Sequence, residues 1–389
     1  MKKKKIKVLY LLLFPFYGSG SGTFARFLAK EVSKKNTVAI VSPDTRPIDG
    51  VKLYPLKMPF KVAFTGHPEW KNCKLFSELS ETEIMRLHKS FMESAVEAVE
   101  DFKPDLIHVH HIFPLSWSAR FIHSTYGIPY IVTSHGSGLA CLEIDKRYYG
   151  LTSDALHGAS YVTSVSINNR SKMVKTFSSI NNRKLRTISG GVKIDTFYKV
   201  NSKAIAKEFN LTGKKIILFA GKLTKFKGVE YLVKAAKQIR GEVVISGGGP
   251  EKKHLMQIVK DEKISNVHFL GHIDTTERLV QLYSLADIFV APSIWDDPMP
   301  LTILEAMATH CAMVVTKKGG IPLAVRGGYN GLFITPKSSN DIALKVNMLL
   351  KNEVLMKKMG ERSREIAKKK FTWEDISSRF NGIYDRMVK

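Results

Sequence analysis

The sequence predicts an α/β protein with two doubly wound domains, each built on a parallel sheet covered by helices. Short apolar runs alternate with amphipathic helical runs along the chain, and glycine or polar residues follow most of the apolar runs. The alternation is interrupted between Lys193 and Thr212 and then starts again. A length of 389 residues is also typical of two domains.

The composition excludes several classes of protein. Hydrophobic residues make up 44% of the chain, which is too many for a disordered or fibrous protein. No apolar stretch reaches the roughly 20 residues of a membrane-spanning helix. The 3 cysteines are too few and too widely spaced for a disulfide framework or a zinc knuckle. A reducing compartment, and therefore a cytoplasmic location, is expected.

The charge is strongly basic. With 60 Lys and Arg against 35 Asp and Glu, the formal net charge is +25, and the excess is spread over both halves of the chain. Such a field attracts nucleotide phosphates or an anionic membrane surface, although lysines that serve only solubility remain an equal alternative. No nucleic-acid-binding pattern is present, so no nucleic acid partner is expected. Lysines together with exposed aromatic side chains in Pro55–Trp70 predict peripheral docking on the inner face of a membrane.

The first half of the chain contains six predicted strands and two long predicted helices. The strands are Ile6–Leu13, Val38–Val41, Leu106–His110, Tyr130–Ser134, Tyr161–Ser166 and Leu185–Ile188, and the helices are Phe24–Val32 and Glu83–Val99. The segment Asp44–Asn72 is rich in Pro, Gly and aromatic residues and is expected to form long loops. Lys2–Lys5 followed by Ile6–Phe14 also resembles a signal peptide, but the glycine-rich stretch and helix that follow favour a buried first strand.

The second half repeats this architecture. Its predicted strands are Lys215–Ala220, Glu242–Ser246, Val267–Leu270, Ile288–Ala291 and Met313–Thr316, and its predicted helices are Val229–Gln238, Glu251–Lys260, Thr276–Ala286 and Leu301–Ala308. A last helix is expected in residues 371–389. The predicted organisation is therefore a first domain over residues 1–195, a second over 196–370, and a C-terminal helix that crosses back to the first domain.

Two lysines follow the first strand of the second domain. Lys222 and Lys227 lie five residues apart after the Gly221 turn, at the end of the sheet where ligands bind in open α/β folds. Two ammonium groups at that place suit a diphosphate, because they would neutralise charge on a leaving group. Two solvated loop lysines are the alternative, since Lys225 lies in the same loop.

The segment from Ala286 to Ala308 is the most specific part of the sequence. A buried strand, a loop with two acids and a helix that begins near Leu301 follow one another. The first amide groups of that helix, those of Leu301 and Thr302, have no partner within the helix and form a candidate anion site.

Two acidic side chains of this segment could bind hydroxyl groups. Glu305 lies about one turn inside the helix and could accept hydrogen bonds from a sugar or ribose, and Asp297, eight residues earlier, could do the same for another ring. The alternative is that Asp296 and Asp297 cap the helix and that Glu305 pairs with a lysine.

These motifs resemble retaining glycosyltransferase family 4, the glycosyl transferases group 1. The resemblance extends over nearly the whole chain, and it is carried by Ser19–Gly22, Asp105–His111, Thr133–Gly136, Gly191–Phe197, Gly221–Gly228, Gly247–Pro250, Gly271, Asp297–Ala308, Gly319-Gly320 and Phe371–Glu374. The chain departs from the family at four positions, with Ser19 for the first Gly of the amino-terminal glycine loop, Asp297 for the usual Glu, Lys222 for Arg and Leu323 for Glu. The resemblance implies the GT-B fold, in which two Rossmann-like domains face each other across a deep inter-domain cleft.

The resemblance also implies a reaction. A sugar would move from a nucleotide-sugar donor to a hydroxyl acceptor with retention of the anomeric configuration and without a metal. The nucleotide would bind the second domain, and the acceptor, which could be a glycan, a lipid-linked molecule or a small molecule, would bind mainly the first. The nucleotide-sugar, expected to be UDP- or GDP-linked, is a substrate, so no cofactor is expected.

The resemblance assigns roles to individual residues. Lys222 and Lys227 would hold the diphosphate, Asp297 and His135 would orient the donor sugar, and Glu305 would hold the ribose hydroxyls. The further residues that the resemblance assigns to the donor site are Gly20, Gly22, Gly221, Gly249, His272, Ile273, Leu301 and Thr302.

Other functions remain open from the sequence. The departures from the family allow a non-catalytic module that binds sugar nucleotides or glycans. An NAD dehydrogenase or a sugar-nucleotide epimerase would share the architecture, but the glycine run at residues 18–22 lacks the G-x-G-x-x-G pattern of dinucleotide-binding enzymes. The spacing of His108, His110 and His111 is compatible with zinc, yet buried histidines or an acceptor contact are favoured because no cluster of further ligands is visible.

Overall fold

The computed structural model of the protein describes residues 5–64, 70, 72–178, 180–296 and 299–388. The chain divides into two compact units, here called the first unit and the second unit. The first unit contains residues 1–190 and 373–389, and the second contains residues 191–372. The first boundary therefore lies five residues before the one predicted from the sequence, and the last helix is part of the first unit.

The two units contain parallel strands and connecting helices. The strands are β1 Lys7–Leu11, β2 Thr37–Ser42, β3 Val51–Pro55, β4 Val62–Ala63, β5 Lys74–Leu75, β6 Leu106–His110, β7 Tyr130–Ser134, β8 Tyr161–Ser164, β9 Leu185–Thr187, β10 Ile216–Ala220, β11 Glu242–Ser246, β12 Val267–Gly271, β13 Ile288–Ala291, β14 Ala312–Thr316 and β15 Gly331–Ile334. The α-helices are α1 Gly20–Ser33, α2 Glu81–Phe102, α3 Leu115–Tyr126, α4 Ser137–Ile144, α5 Tyr149–Gly158, α6 Ile167–Thr176, α7 Lys203–Glu208, α8 Val229–Ala235, α9 Lys252–Asp261, α10 Thr276–Leu285, α11 Leu301–Ala308, α12 Ile321–Ala324, α13 Ser339–Lys351, α14 Glu353–Lys370 and α15 Trp373–Met387.

The first unit is built on a seven-stranded sheet with the order β3-β2-β1-β6-β7-β8-β9. Every neighbouring pair in this sheet is parallel. The central strands β1, β6 and β7 are buried almost throughout, because helices cover both faces of a parallel sheet. The six strands predicted in this half are confirmed, and the first of them is β1, one of the three central strands.

The prediction of loops throughout Asp44–Asn72 is wrong for part of that segment. Residues Val51–Pro55 form β3, which pairs with β2 at the edge of the sheet, and Val62–Ala63 form β4. Because an edge strand is covered less completely, β3 is half-exposed and carries Lys52 and Pro55, so it lacks a continuous apolar run.

The prediction of exposed aromatic side chains in Pro55–Trp70 is also wrong for two of them. Phe64 and Trp70 are buried, with relative exposures of 6% and 8%. The ring of Phe64 lies 4.9 Å from that of Phe76 and 5.6 Å from that of Phe14, and Trp70 lies 6.0 Å from Phe14. These rings fill the core of the first unit and are not available for a membrane surface.

Helix α15 completes the core of the first unit. Its apolar residues include Trp373, Phe380 and Tyr384, which are buried against α1 and the sheet. The ring of Trp373 lies 5.5 Å from that of Phe24 on α1. The C-terminal segment is therefore part of the core of this unit.

The second unit is built on a six-stranded parallel sheet with the order β12-β11-β10-β13-β14-β15. Apolar residues on the two faces of the sheet form two separate core clusters, one of which includes the inner face of α11. The fold class is confirmed: both units are Rossmann-like α/β domains. Among the helices of the described ranges, none is both long enough and apolar enough to span a membrane.

Candidate functional site

The carboxyl edge of the second sheet brings together four loops that carry predicted site residues. The strand order reverses at β10, which lies between β11 and β13, and ligands bind at such a point in open α/β sheets. Lys222 follows β10, Gly249 follows β11, and His272 follows β12. The loop after β13 leads into α11, where Glu305 lies.

Backbone hydrogen bonds join the first three of these loops into one layer. The amide of Gly221 donates to the carbonyl of Ser246 at 3.0 Å, and the amide of Gly247 donates to the carbonyl of Gly271 at 2.6 Å. These bonds continue the hydrogen-bonding pattern of the sheet past the ends of β10 and β11. The loops after β10, β11 and β12 are therefore fixed in position relative to one another.

Glycine is required where two of these loops touch. A Cβ on Gly247 would lie 1.9 Å from the carbonyl oxygen of Gly221, and a Cβ on Gly249 would lie 2.2 Å from that of Leu223. Their φ angles, 132° and 155°, are also ones that other residues rarely adopt. The close approach of the Leu223 carbonyl therefore requires glycine at position 249, whether or not a ligand binds there.

Residues 221–228 connect β10 to α8 and are here called the lysine loop, which lies against the loop that follows β13. The amide of Ile294 donates to the carbonyl of Phe226 at 3.0 Å. Gly228 has a φ of 65°, and a Cβ there would lie 2.2 Å from the carbonyl oxygen of Pro292. Lys222 is exposed and Lys227 is half-buried. The structure therefore brings the segment that contains Lys222 and Lys227, which were predicted to bind the diphosphate, next to the loop that leads into α11.

Helix α11 begins at Leu301, as predicted, without a side-chain cap. Its N-cap residue is Pro300, whose side chain accepts no hydrogen bond, so the amides of Leu301 and Thr302 have no acceptor within the helix. Asp296 does not cap the helix, because its Oδ1 accepts from the amide of Gly319 at 3.2 Å. For Asp296, the alternative of a purely capping role is therefore wrong.

Glu305 is held on α11 by a tyrosine that the sequence analysis did not identify. Its Oε2 accepts a hydrogen bond from the hydroxyl of Tyr283 on α10 at 2.8 Å. The surrounding protein removes water from the carboxyl group and raises its pKa to about 7, although the hydrogen bond from Tyr283 acts in the opposite direction. Within the described part of the chain no lysine pairs with Glu305, so the second part of the alternative is also wrong.

The remaining predicted donor residues are placed as follows. His272 is exposed and Ile273 is partly buried, and both follow β12 in the second unit. Asp297 lies outside the described residues. Gly20 and Gly22 lie in the first turn of α1 in the first unit.

The glycine-rich stretch before α1 has two different kinds of glycine. Ser19 is the N-cap of α1, and its hydroxyl accepts from the amide of Gly22 at 3.1 Å. A Cβ on Gly22 would lie 2.0 Å from the carbonyl oxygen of Pro15, whereas a Cβ on Gly20 would meet no atom within 4 Å. Gly22 is therefore needed for packing, and only Gly20 leaves open space beside the backbone.

Three histidines of the first unit, His110, His111 and His135, lie at the carboxyl ends of β6 and β7. His110 Nδ1 and His135 Nε2 share a hydrogen bond of 3.0 Å, and their rings are stacked with centroids 5.3 Å apart. His135 is half-buried, and burial lowers its pKa to about 3. His111 is buried beside it, with its ring centroid 4.9 Å away. These imidazoles are therefore neutral at pH 7 and can act as hydrogen-bonding groups.

His108 has a different environment from His110, His111 and His135. Its Nδ1 shares a hydrogen bond of 2.7 Å with the hydroxyl of Tyr384, and its Nε2 shares one of 2.7 Å with Thr133 Oγ1. Both ring nitrogens are thus used inside the core. Across the described ranges of the chain, no three His, Cys, Asp or Glu side chains are arranged to hold a metal ion.

The sequence analysis quoted Gly228 and Gly247 in motifs but gave them no role, and it did not identify Tyr283. The structure shows that all three act by packing or by a contact within the protein. Gly228 and Gly247 allow two loops to touch, and Tyr283 contacts Glu305 from another helix. A positive φ or a close carbonyl is not visible in a sequence. Tyr283 lies 22 residues before Glu305, so only the packing of α10 against α11 brings them together.

Two family models match most of the chain. The model described as "Glycosyltransferase Family 4" matches residues 18–196, and the model described as "Glycosyl transferases group 1" matches residues 201–366. The chain is 29% identical over 291 residues to N-acetyl-alpha-D-glucosaminyl L-malate synthase of Bacillus anthracis, covering 72% of this chain and 74% of that protein. It is 26% identical over 376 residues to an uncharacterized glycosyltransferase of Methanocaldococcus jannaschii, covering 90% and 88%.

Solved structures agree with this assignment at the level of the fold. Sucrose-phosphate synthase from Thermosynechococcus elongatus superposes with a TM-score of 0.80 at 19% identity, covering 98% of this chain and 99% of that one. HepE of Anabaena, in complex with UDP and glucose, superposes with a TM-score of 0.78 at 16% identity, covering 98% and 100%. The predicted family, fold class and enzyme class are thus confirmed: the chain belongs to the group 1 glycosyltransferases of family 4 and is a glycosyltransferase with the GT-B fold.

Proposed function

We propose that the protein transfers a sugar from a nucleotide-sugar donor to a hydroxyl acceptor, and that the second unit binds the nucleotide. The observation that carries this proposal is the carboxyl edge of the second sheet, where hydrogen-bonded loops lie next to the start of α11. Relatives support it: HepE was solved with UDP and glucose, and starch synthase IV of Arabidopsis thaliana with ADP and acarbose.

Each part of the donor would meet a group of suitable chemistry. The diphosphate would lie at the amides of Leu301 and Thr302, where aligned helix dipoles favour negative charge. Lys222 and Lys227 would add positive charge that grows in importance as the leaving group becomes more negative in the transition state. The ribose hydroxyls would donate to the carboxylate of Glu305.

We propose further that the transfer retains the anomeric configuration and needs no metal. In this mechanism, the lysines and the helix start supply the positive charge that a divalent cation would otherwise supply. The leaving diphosphate would accept the proton of the attacking hydroxyl. His135 and Asp297 are proposed to orient the donor sugar, and the neutral state of His135 suits it for a hydrogen bond to a hydroxyl.

The donor base and the acceptor are proposed only as classes. UDP or GDP is proposed as the nucleotide, and a glycan, a lipid-linked molecule or a small molecule with a free hydroxyl as the acceptor, bound by the first unit. Association with an anionic membrane surface stays a prediction. It now rests mainly on the net charge of +25, because Phe64 and Trp70 are buried and Phe60 is half-buried.

A thermal-shift screen with UDP-, GDP- and ADP-sugars tests the proposal. A ligand that binds only the folded state at 100 times its Kd stabilises the protein by about 2.7 kcal/mol. We expect one nucleotide class to raise the melting temperature of the wild type and of the control variant Lys351→Ala, which changes an exposed lysine on α13. Glu305→Ala and Lys222→Ala should reduce the shift. A shift that survives in Glu305→Ala would contradict the proposed site.

A further inference from the structure

Tyr283 is the only described side chain that donates a hydrogen bond to the carboxylate of Glu305. It lies on α10, its side chain is fully buried, and its hydroxyl donates to Oε2 at 2.8 Å. Glu305 itself is half-buried on α11. A bond from a buried hydroxyl to the carboxyl group of a half-buried residue therefore joins the core of the second unit to the predicted ribose ligand.

The position of the Tyr283 hydroxyl is fixed by the core. The ring of Tyr283 lies 6.0 Å from the ring of Phe197 and 6.0 Å from that of Phe289. Its main-chain carbonyl also accepts a hydrogen bond from the thiol of Cys311 at 3.4 Å. The ring and the backbone are thus held from several sides, and the hydroxyl offers its hydrogen at one place.

The hydrogen bond has three consequences for Glu305. A hydrogen bond to the ionised form of a carboxyl group stabilises that form, which opposes the effect of burial. The bond also removes rotational freedom from a side chain that would otherwise adopt several rotamers. It occupies Oε2, and Oε1 makes no hydrogen bond to the described residues, so that oxygen can accept from another group.

We propose that Tyr283 is a positioning residue for Glu305. The hydroxyl of Tyr283 keeps the Glu305 carboxylate turned toward the ribose hydroxyls of a bound nucleoside diphosphate. The inference rests on the proposed function, in which Glu305 binds the ribose. Tyr283 acts through Glu305 and does not touch the ligand. Its contribution is expected in nucleotide affinity, because a pre-oriented acceptor loses less entropy on binding.

Among Glu305, Tyr283 and the neighbouring Cys311, only Glu305 has a pKa near neutral pH. Burial raises the pKa of Cys311 to about 11, so its thiol stays neutral, and Lys199 and Asp287 act electrostatically on that thiol. Burial also raises the pKa of Tyr283, which stays protonated and keeps donating. Loss of the Tyr283 hydroxyl should therefore raise the pKa of Glu305 further.

Calorimetric titration of the full-length protein with UDP, GDP and ADP tests the inference. Titrations are made between about pH 5.5 and 8.5 with the wild type, Tyr283→Phe, Glu305→Gln and the double variant. Tyr329→Phe is the matched control, because Tyr329 lies in the same unit and is exposed beside Arg362. The comparison is made for each nucleotide that binds the wild type.

We expect Tyr283→Phe to weaken nucleotide binding about 5- to 20-fold at pH 7, with Tyr329→Phe unchanged. The midpoint at which affinity falls with acid should move to higher pH in Tyr283→Phe and should be absent in Glu305→Gln. In the Glu305→Gln background, Tyr283→Phe should weaken binding by a clearly smaller factor, because the two residues act through one interaction.

Three results decide the inference. If Tyr283→Phe binds like the wild type with the same acid midpoint, or if its effect is undiminished in Glu305→Gln, the inference is wrong while the proposed function stands. If the wild type binds none of the three nucleotides, the proposed function is wrong and the inference with it. Should Tyr283→Phe not fold, Tyr283→Met, which also lacks the hydroxyl, is taken through the same comparison.

Discussion

The ionised form of Glu305 is expected to favour ligand binding but to lower the stability of the folded protein. Its pKa is raised from 4.5 to about 7 because the fold removes water from the carboxyl group. The unfolded chain therefore loses this proton at lower pH than the folded chain does, so that stability falls as pH rises between about 4.5 and 7. The carboxylate that suits a ribose thus carries a penalty in the free protein.

Replacement of Glu305 by Gln should remove this penalty. We expect Glu305→Gln to be more stable than the wild type at pH 8 by on the order of 1–3 kcal/mol, and by less at pH 5. Differential scanning calorimetry of both proteins at the two pH values measures the difference in melting temperature. A difference that does not grow from pH 5 to pH 8 would mean that the carboxyl group is not desolvated in the folded protein.

Glu305 is also expected to make nucleotide binding depend on pH. Affinity should rise with pH, whereas the stability of the folded protein should fall. Because the carboxylate accepts hydrogen bonds from ribose hydroxyls better than the protonated acid does, affinity should fall as pH drops through about 7. A titration of nucleotide affinity against pH checks this, and an affinity that is constant between pH 6 and 8 would contradict it.

Gly228 illustrates a residue whose role depends on a single close contact. Gly228 and Gly213 have similar positive φ angles of 65° and 74°, but a Cβ on Gly213 would meet nothing within 4 Å, whereas one on Gly228 would lie 2.2 Å from the carbonyl oxygen of Pro292. Gly213→Ala should cost about 1 kcal/mol from backbone strain alone, and Gly228→Ala should cost clearly more.

Thermal denaturation of the two alanine variants checks this difference, and nucleotide titration shows whether the lysine loop has moved. We expect only Gly228→Ala to lose nucleotide affinity. Equal melting temperatures for the two variants would show that the lysine loop can move away from Pro292 at little energetic cost.

At the scale of elements, helix α15 is attached to the first sheet by a buried hydrogen-bond network. The hydroxyl of Tyr384 shares hydrogen bonds with His108 Nδ1 at 2.7 Å and with the hydroxyl of Tyr10 at 2.9 Å. His108 continues the network to Thr133, which bonds Thr163 at 2.6 Å. One helix is thereby connected to strands β1, β6, β7 and β8.

Tyr384→Phe should therefore destabilise the first unit by about 1–3 kcal/mol, because it leaves a buried ring nitrogen and a buried hydroxyl without this partner. The matched control is Tyr126→Phe, which removes an exposed hydrogen bond to Glu100 and should have an effect below about 0.5 kcal/mol. Hydrogen exchange in residues 373–387 measures the loosening of α15. Unchanged protection there would show that the apolar contacts of α15 suffice.

The elements that could be predicted are those with a complete apolar face. Strands such as β6, β7, β11 and β13 are buried almost throughout, and their predicted bounds agree with the structure. The edge strand β3 was missed because its residues are half-exposed. No element was predicted between residues 317 and 370, although this region contains α12, β15, α13 and α14. In α14, the many charged residues on the solvent side obscure the apolar face.

At the scale of the whole molecule, the sequence indicated the two-domain architecture and the loops that carry the candidate site. Both follow from order along the chain: strand, turn and helix repeat, and motifs stand at the strand ends. The partners of the site residues did not follow. Tyr283 and Glu305, or Asp296 and Gly319, meet only because separate elements pack together, and their separations in sequence carry no signal.

The central claim is that a nucleoside diphosphate binds at the start of α11 and is held there by Glu305. A crystal structure of the full-length protein with the nucleoside diphosphate that gives the largest thermal shift tests it most directly. The account predicts ribose hydroxyls within about 2.6–3.2 Å of the Glu305 carboxylate and phosphate oxygens at the amides of Leu301 and Thr302. A nucleotide bound elsewhere, with no ribose hydroxyl near the Glu305 carboxylate, would contradict it.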